Sequence, residues 1–228
     1  MIEEILGRMF PIEHGLSPDD ILLPVTRYST PFTQSDPKAC NPCQANPNRA
    51  DRVGCSREIL RVNNNGNEIA VVDYEQYITQ FDRTPVNVGE RCDLLMTDSG
   101  DARQKIVFCD LCCYEEKYVE PNDGNRFPEG KRAKARRQME RTLDLLVCEP
   151  TTTAVNILTY HEKVCLFAWR DYDVPDSPVT PRRGDARANV QVFSSTVSNL
   201  AATTTSHHQK MGHDFTFMQV KYPTEYNW

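Results

Sequence analysis

Two aspartates carry the first chemical signal in this chain. Asp110 lies inside residues 105–114 (KIVFCDLCCY), among Ile106, Val107, Phe108, Leu111 and the thiols of Cys109, Cys112 and Cys113. Taking a carboxylate out of water costs several kcal/mol unless a cation or hydrogen-bond donors meet it, so such a residue is expected to have a partner. Asp93 opens the preceding apolar run, residues 92–97 (CDLLMT). Two carboxylates on neighbouring strands can converge on one Mg²⁺ or Mn²⁺, a hard ion that takes oxygen ligands and retains waters. A metal held in that way activates water and stabilises charge on a transferring phosphate.

The elements that position these acids follow from periodicity. Residues 57–62 (REILRV) alternate polar and apolar, as a half-buried strand does. Residues 63–67 (NNNGN) form a turn, because Asn and Gly accept positive φ, and 68–72 (EIAVV) make a second strand or lead into a helix. Residues 73–82 place Tyr74, Tyr77, Ile78 and Phe81 on one helical stripe, with Asp73 as N-cap and Pro85 beyond the end. Residues 92–97 form a short strand, 97–104 a turn, and 105–114 a longer strand covered on both faces. The clearest helix is 131–147, with Ala135, Met139, Leu143 and Leu146 along one face and a basic opposite face of Lys131, Arg132, Lys134, Arg136, Arg137 and Arg141. Residues 164–169 and 215–222 read as further strands.

This order of helix, strand, turn, strand and helix resembles the PD-(D/E)xK phosphodiesterase superfamily, which includes many restriction endonucleases. The resemblance spans roughly 75 of the 228 residues, about 73–147. Asp93 matches the acid that opens one strand and Asp110 the acid of the next. Glu75 fits the additional acid of the preceding helix, and Gln138 the glutamine that RecB-like members carry on the following helix. The texture RQMERTLDLL of that helix is also similar. The resemblance implies a restriction-endonuclease-like α+β core with a mixed central β-sheet, a Mg²⁺- or Mn²⁺-dependent nuclease with Asp93 and Asp110 as metal ligands, and a setting in bacterial defence or a mobile element.

One position departs from the motif. The family lysine falls at Cys112, and a thiol cannot supply its positive charge. Either the charge has moved to Lys134, Lys131 or Lys105, or the site is inert and the chain is a nuclease-fold subunit of a larger assembly. Plainer readings stand beside each assignment. Asp93 can cap a turn or pair with Arg91, Asp110 can belong to a structural ion pair, and Glu75 and Gln138 can sit on solvated helix faces. The basic helix face can meet nucleic-acid phosphates or simply water.

Composition bounds the rest. Apolar residues make up 39% and charged residues 25%, which is a globular balance. The net charge of −6 argues against a dedicated DNA-binding module. No run reaches the roughly 20 apolar residues of a membrane span, and the start MIEEILGRMF lacks a secretory h-region. Nine cysteines scattered through apolar segments read as reduced, buried thiols, which places the chain in the cytoplasm. Cys40 and Cys43 have zinc-knuckle spacing, as do Cys109 and Cys112, but residues three apart on a strand face opposite ways, so a structural Zn²⁺ is not expected. His207, His208 and His213 read as a polar loop. The whole is expected to be one domain: a loop-rich extension over 1–56, a nuclease-like core over 57–170, and loops with a strand over 171–228.

Overall fold

A computed structural model describes residues 2–36, 55, 57–81, 89–100, 102–124, 128–171 and 209–228. In chain order the described elements are helix α1 (Ile2–Glu4), a π-helical stretch (Ile5–Met9), α2 (Phe10–Glu13), and strands β1 (Val25–Tyr28), β2 (Phe32–Gln34), β3 (Leu60–Asn63) and β4 (Ile69–Asp73). Helix α3 (Tyr74–Thr79), β5 (Leu94–Asp98), β6 (Lys105–Cys113), α4 (Gly130–Val147) and α5 (Thr152–Leu158) follow. The remaining strands are β7 (Glu162–Arg170), β8 (Gln209–Lys210), β9 (Thr216–Lys221) and β10 (Glu225–Asn227), with short 3-10 turns between elements.

The class is α+β, built on a mixed seven-stranded sheet in the order β1-β4-β5-β6-β7-β9-β8. The pairs β1–β4, β4–β5 and β5–β6 are antiparallel. The sheet turns parallel at β6–β7 and β7–β9. Helices α4 and α5 form the crossover that a parallel β6–β7 pair requires. A second sheet, β10-β3-β2, stands apart.

Alternation along the strands sorts the interior into two cores. Phe108 and Cys112 of β6 and Cys165, Phe167 and Trp169 of β7 join Ala135, Met139, Leu143 and Leu146 of α4 on the helix-covered face. Val107, Cys109 and Leu111, with Val164, Leu166 and Ala168, meet Phe32, Leu60, Val62 and Tyr226 of the small sheet on the other. All nine residues of β6 are buried, as a strand covered on both faces requires. Every residue of the anticipated α4 stripe is buried.

Several expectations for the N-terminal part are corrected. The segment taken as a loop-rich extension contains a helical stretch over 2–13 and strands β1 and β2. Ile2, Ile5, Leu6 and Phe10 are buried in the helix-side core, and Tyr77 donates its hydroxyl to Leu6 O at 2.6 Å. The strand anticipated at 57–62 is β3, at Leu60–Asn63. Helix α5 and strand β10 were not anticipated. Thr151 caps α5 by accepting from Ala154 N, but exposed Val155 and Leu158 blur its periodicity.

Asp73 is the N-cap of α3, accepting from Gln76 N at 2.9 Å. Gly130, at φ +79°, opens α4 where a Cβ would stand 2.6 Å from Val119 O. Only glycine fits there, and Arg132 N binds the same carbonyl at 3.1 Å. The start of α4 is therefore fixed against residues 119–121.

Candidate active site

Asp93 and Asp110 come together at one end of the β5–β6 pair. Leu94 lies opposite Cys109 and Leu95 opposite Phe108; the ladder ends there, with Asp93 one residue before it on the β5 side and Asp110 one residue beyond it on β6. The parity of Asp110 with Phe108 and Cys112 assigns its side chain to the helix-covered face. Both aspartates are buried, at 4% and 8% exposure. Both carboxylates act electrostatically on Cys92, Cys109 and Cys112.

Asp93 is held by its main chain and its side chain. Its N–H donates to Cys109 O at 3.0 Å, and its carbonyl accepts from Tyr74 N at 2.9 Å and Glu75 N at 3.1 Å. Those are amides of the first turn of α3, which lack partners inside the helix. Asp93 Oδ2 accepts from Leu111 N at 2.7 Å. The side chain thereby replaces a main-chain acceptor where the ladder ends. Glu75, half-buried, is tied to Asp93 through the backbone.

Gln138 braces the approach to Asp93 from α4. Its Nε2 donates to Arg91 O at 2.8 Å. One turn later, Thr142 Oγ1 accepts from Cys92 N at 3.1 Å and donates to Gln138 O at 3.0 Å. Gln138 thus acts on the backbone that leads into Asp93, as a positioning residue.

The three lysines weighed as replacements for the cation at Cys112 separate clearly. Lys105 is at the far end of β6, and its odd position gives it the face opposite Asp110. Its ammonium meets Glu162 at 3.0 Å and lies over the rings of Tyr226 and Trp228. That placement removes it from consideration. Lys131, at the fixed start of α4, is half-buried and shares surroundings with Cys112, Asp110 and Asp36. Desolvation lowers its pKa from the ordinary lysine value, with Lys134 adding repulsion, while Cys112, Asp110 and Asp36 act the other way. Its ammonium lies 4.1 Å from the centroid of the Tyr114 ring. Lys134, three residues on, appears in these couplings through Lys131 and Glu129. Of the two, Lys131 is the one with a stated interaction with Asp110.

Burial in apolar surroundings pushes the Cys112 thiol well above its usual range, and Asp110 adds to the shift. Cys112 is thus a neutral group at physiological pH. Asp36 acts on both Cys112 and Lys131. It was not among the anticipated residues, because nothing local in the sequence distinguishes it from other polar loop residues.

The basic face of α4 is largely occupied by carboxylates. Arg132 pairs with Glu120 at 2.7 Å, Arg136 with Glu140 at 2.9 Å and Arg137 with Glu90 at 3.1 Å. Arg137 also pairs with Glu129, and Arg141 reaches Glu90 at 3.6 Å. Cys109 and Cys112 face opposite cores, so they cannot share one tetrahedral ion. Cys40, Cys43, His207 and His208 lie outside the described residues. Among the described residues, no group of three or more His, Cys, Asp or Glu is arranged to hold a metal ion. No described helix is long and apolar enough to cross a membrane.

Compared with protein-family models, curated proteins and solved structures, the chain matches none.

Proposed function

We propose that the chain is a metal-dependent nucleic-acid phosphodiesterase of PD-(D/E)xK type, with Asp93 and Asp110 as the acidic pair and Lys131 as the relocated lysine. One observation supports the reading: Lys131, half-buried at the start of α4, feels the charges of Asp110 and Asp36 around Cys112, where the sequence lacks the family cation. The antiparallel β4–β5–β6 run followed by α4 across the sheet also agrees with a restriction-endonuclease-like core.

The chemistry of two buried carboxylates suits a Mg²⁺ or Mn²⁺ ion. Mg²⁺ is commonly held by one or two carboxylates, with waters and substrate phosphate completing its shell, and so does not require a three-residue protein cage. Asp93 and Asp110 would hold it, and it would supply a Lewis acid for the phosphate and an activated water. Leu111 N fixes the orientation of the Asp93 carboxylate. Lys131 presents an ammonium that can hydrogen-bond to a phosphate oxygen and offset charge there. Asp36 is a further carboxylate that acts on Cys112 and Lys131, and Gln138 holds the Arg91 carbonyl in place. With most α4 arginines paired, substrate contact falls to the surface around Lys131 and Lys134.

The test incubates purified full chain with plasmid DNA and with single-stranded RNA, each with Mg²⁺ or Mn²⁺. Cleavage by the wild type and its loss in Asp110→Asn and Lys131→Met supports the reading. Equal cleavage by the variants, or none by the wild type, sinks it. In the second case the neutral Cys112 favours the other reading, a nuclease-fold subunit that works by assembling with protein partners.

A further inference from the structure

The β5–β6 pair carries a second charged rung at its opposite end. Continuing the register past Thr97–Ile106 sets Asp98 across from Lys105, and Lys105 in turn lies opposite Glu162 of β7. The three occupy the face that packs on the small sheet, away from Asp93 and Asp110. Together with Glu68, Ser99 and Trp228 they line a cavity of about 750 Å³. That is within the range of about 300–1,000 Å³ usual for small-molecule sites.

The lining has an unbalanced electrostatic demand. Lys105 is met by Glu162 at 3.0 Å and Glu68 by Arg27 at 3.3 Å. Asp98 is only 9% exposed. Its Oδ1 accepts from Lys105 N at 2.8 Å, while its Oδ2 and the neighbouring Ser99 Oγ are buried without a hydrogen-bond partner. A buried carboxylate oxygen without a donor is costly, and a cationic donor satisfies it best. Trp228 adds an aromatic wall that already takes part in holding the Lys105 ammonium.

We propose that this cavity is a binding site for a small organic cation, a primary amine or guanidinium, whose charged end neutralises Asp98 as that carboxylate turns out to meet it, while its carbon chain packs along Trp228. A divalent metal fits less well, since no described group of three His, Cys, Asp or Glu is arranged for one. The site is separate from the acidic pair and stands whether or not the chain cleaves nucleic acid.

Agmatine, which carries an amine at one end and a guanidinium at the other, is the probe. Isothermal titration of the full chain is expected to show binding tighter than about 1 mM. Asp98→Asn keeps an oxygen for Lys105 N but turns Oδ2 into an amide donor; it is expected to weaken binding at least tenfold with an unchanged melting temperature. Gly100 lines the same cavity and has open space where a Cβ would go. Gly100→Phe is therefore expected to block the site without entering the core, and it decides the matter if Asp98→Asn proves unstable. Absence of agmatine binding, equal binding by both variants, or equal binding of uncharged N-butylacetamide would each overturn the proposal.

Discussion

Leu111 N donates to Asp93 Oδ2 at 2.7 Å, so a side chain does the work of the next main-chain rung between β5 and β6. This bond gives Asp93 a structural duty beside any chemical one, and the two duties can be separated. Asp93→Ala leaves the Leu111 amide buried without an acceptor and is expected to cost about 1–3 kcal/mol. Asp93→Asn retains a carbonyl oxygen and should lose well under half of that, while still abolishing metal-dependent cleavage. Urea denaturation beside a plasmid assay distinguishes the two. An Asn variant that cleaves normally counts against Asp93 as a ligand.

Lys131 and Lys134 make opposite forecasts. If Lys131 meets the phosphate, Lys131→Met lowers the cleavage rate by about 10²-fold or more, in line with the loss of one preorganised electrostatic group. Lys134→Met should change it by less than about threefold, with an effect that shrinks as salt rises. A larger loss at Lys134 would reverse the assignment.

Gly130 is the hinge of that geometry. A Cβ at this position meets Val119 O at 2.6 Å, and the backbone has φ +79°. Gly130→Ala is expected to destabilise the fold by about 1–3 kcal/mol, the cost of backbone strain at a position that the surroundings fix. It should also displace Lys131 and reduce cleavage by more than its effect on stability. Thermal melting and activity measured on the same sample check both parts.

Much of this arrangement was legible from sequence, and the reasons differ by residue. Asp110 was conspicuous because a charge inside an apolar strand needs a reason, and the run 92–110 is short enough for its strands to pair locally. The α4 stripe was legible because helical periodicity over 18 residues is a strong signal. The choice between Lys131 and Lys134 was not, because it depends on where α4 starts, which Gly130 and the 119–121 backbone decide. Asp36 was not legible either, since its place beside Cys112 arises only when distant segments pack. The helical stretch over 2–13 carries a signal, Ile2, Ile5, Leu6 and Phe10 at helical spacing, but it is short and is followed by Pro- and Asn-rich residues that mask it.

Alkaline pH should unfold the protein early. Burial raises the pKa of Cys92, Cys109, Cys112 and Cys165 above the ordinary thiol value of 9.0. Above that value the unfolded chain releases thiol protons that the folded chain keeps, so stability is full below about pH 9 and falls as pH rises past it. Buried Tyr74, Tyr77 and Tyr226, also raised by desolvation, add the same sign from about pH 10. Lys131 is lowered and opposes the trend, but it is one group against several. Melting temperatures between pH 7.5 and 10.5 should decline, most steeply in the upper half; a flat profile would contradict the burial of these thiols.

Gln138→Leu removes the brace on Arg91 O. It is expected to cost about 1–2 kcal/mol and to reduce cleavage through the position of Asp93, leaving substrate affinity nearly unchanged. A variant with lowered affinity and normal turnover would mark Gln138 as a substrate contact instead.

Because Asp93 and Asp110 lie at one end of the β5–β6 hairpin and Asp98 and Lys105 at the other, one hairpin serves as the ruler for both. Lengthening the turn between residues 98 and 105 leaves each pair intact. Adding a single residue within either strand forces the bulge or the slip to fall on one side of the pair, turning half of a rung to the wrong face. Neither end of the hairpin is free to drift in length independently of the other, and sequence change is channelled into the connecting turn.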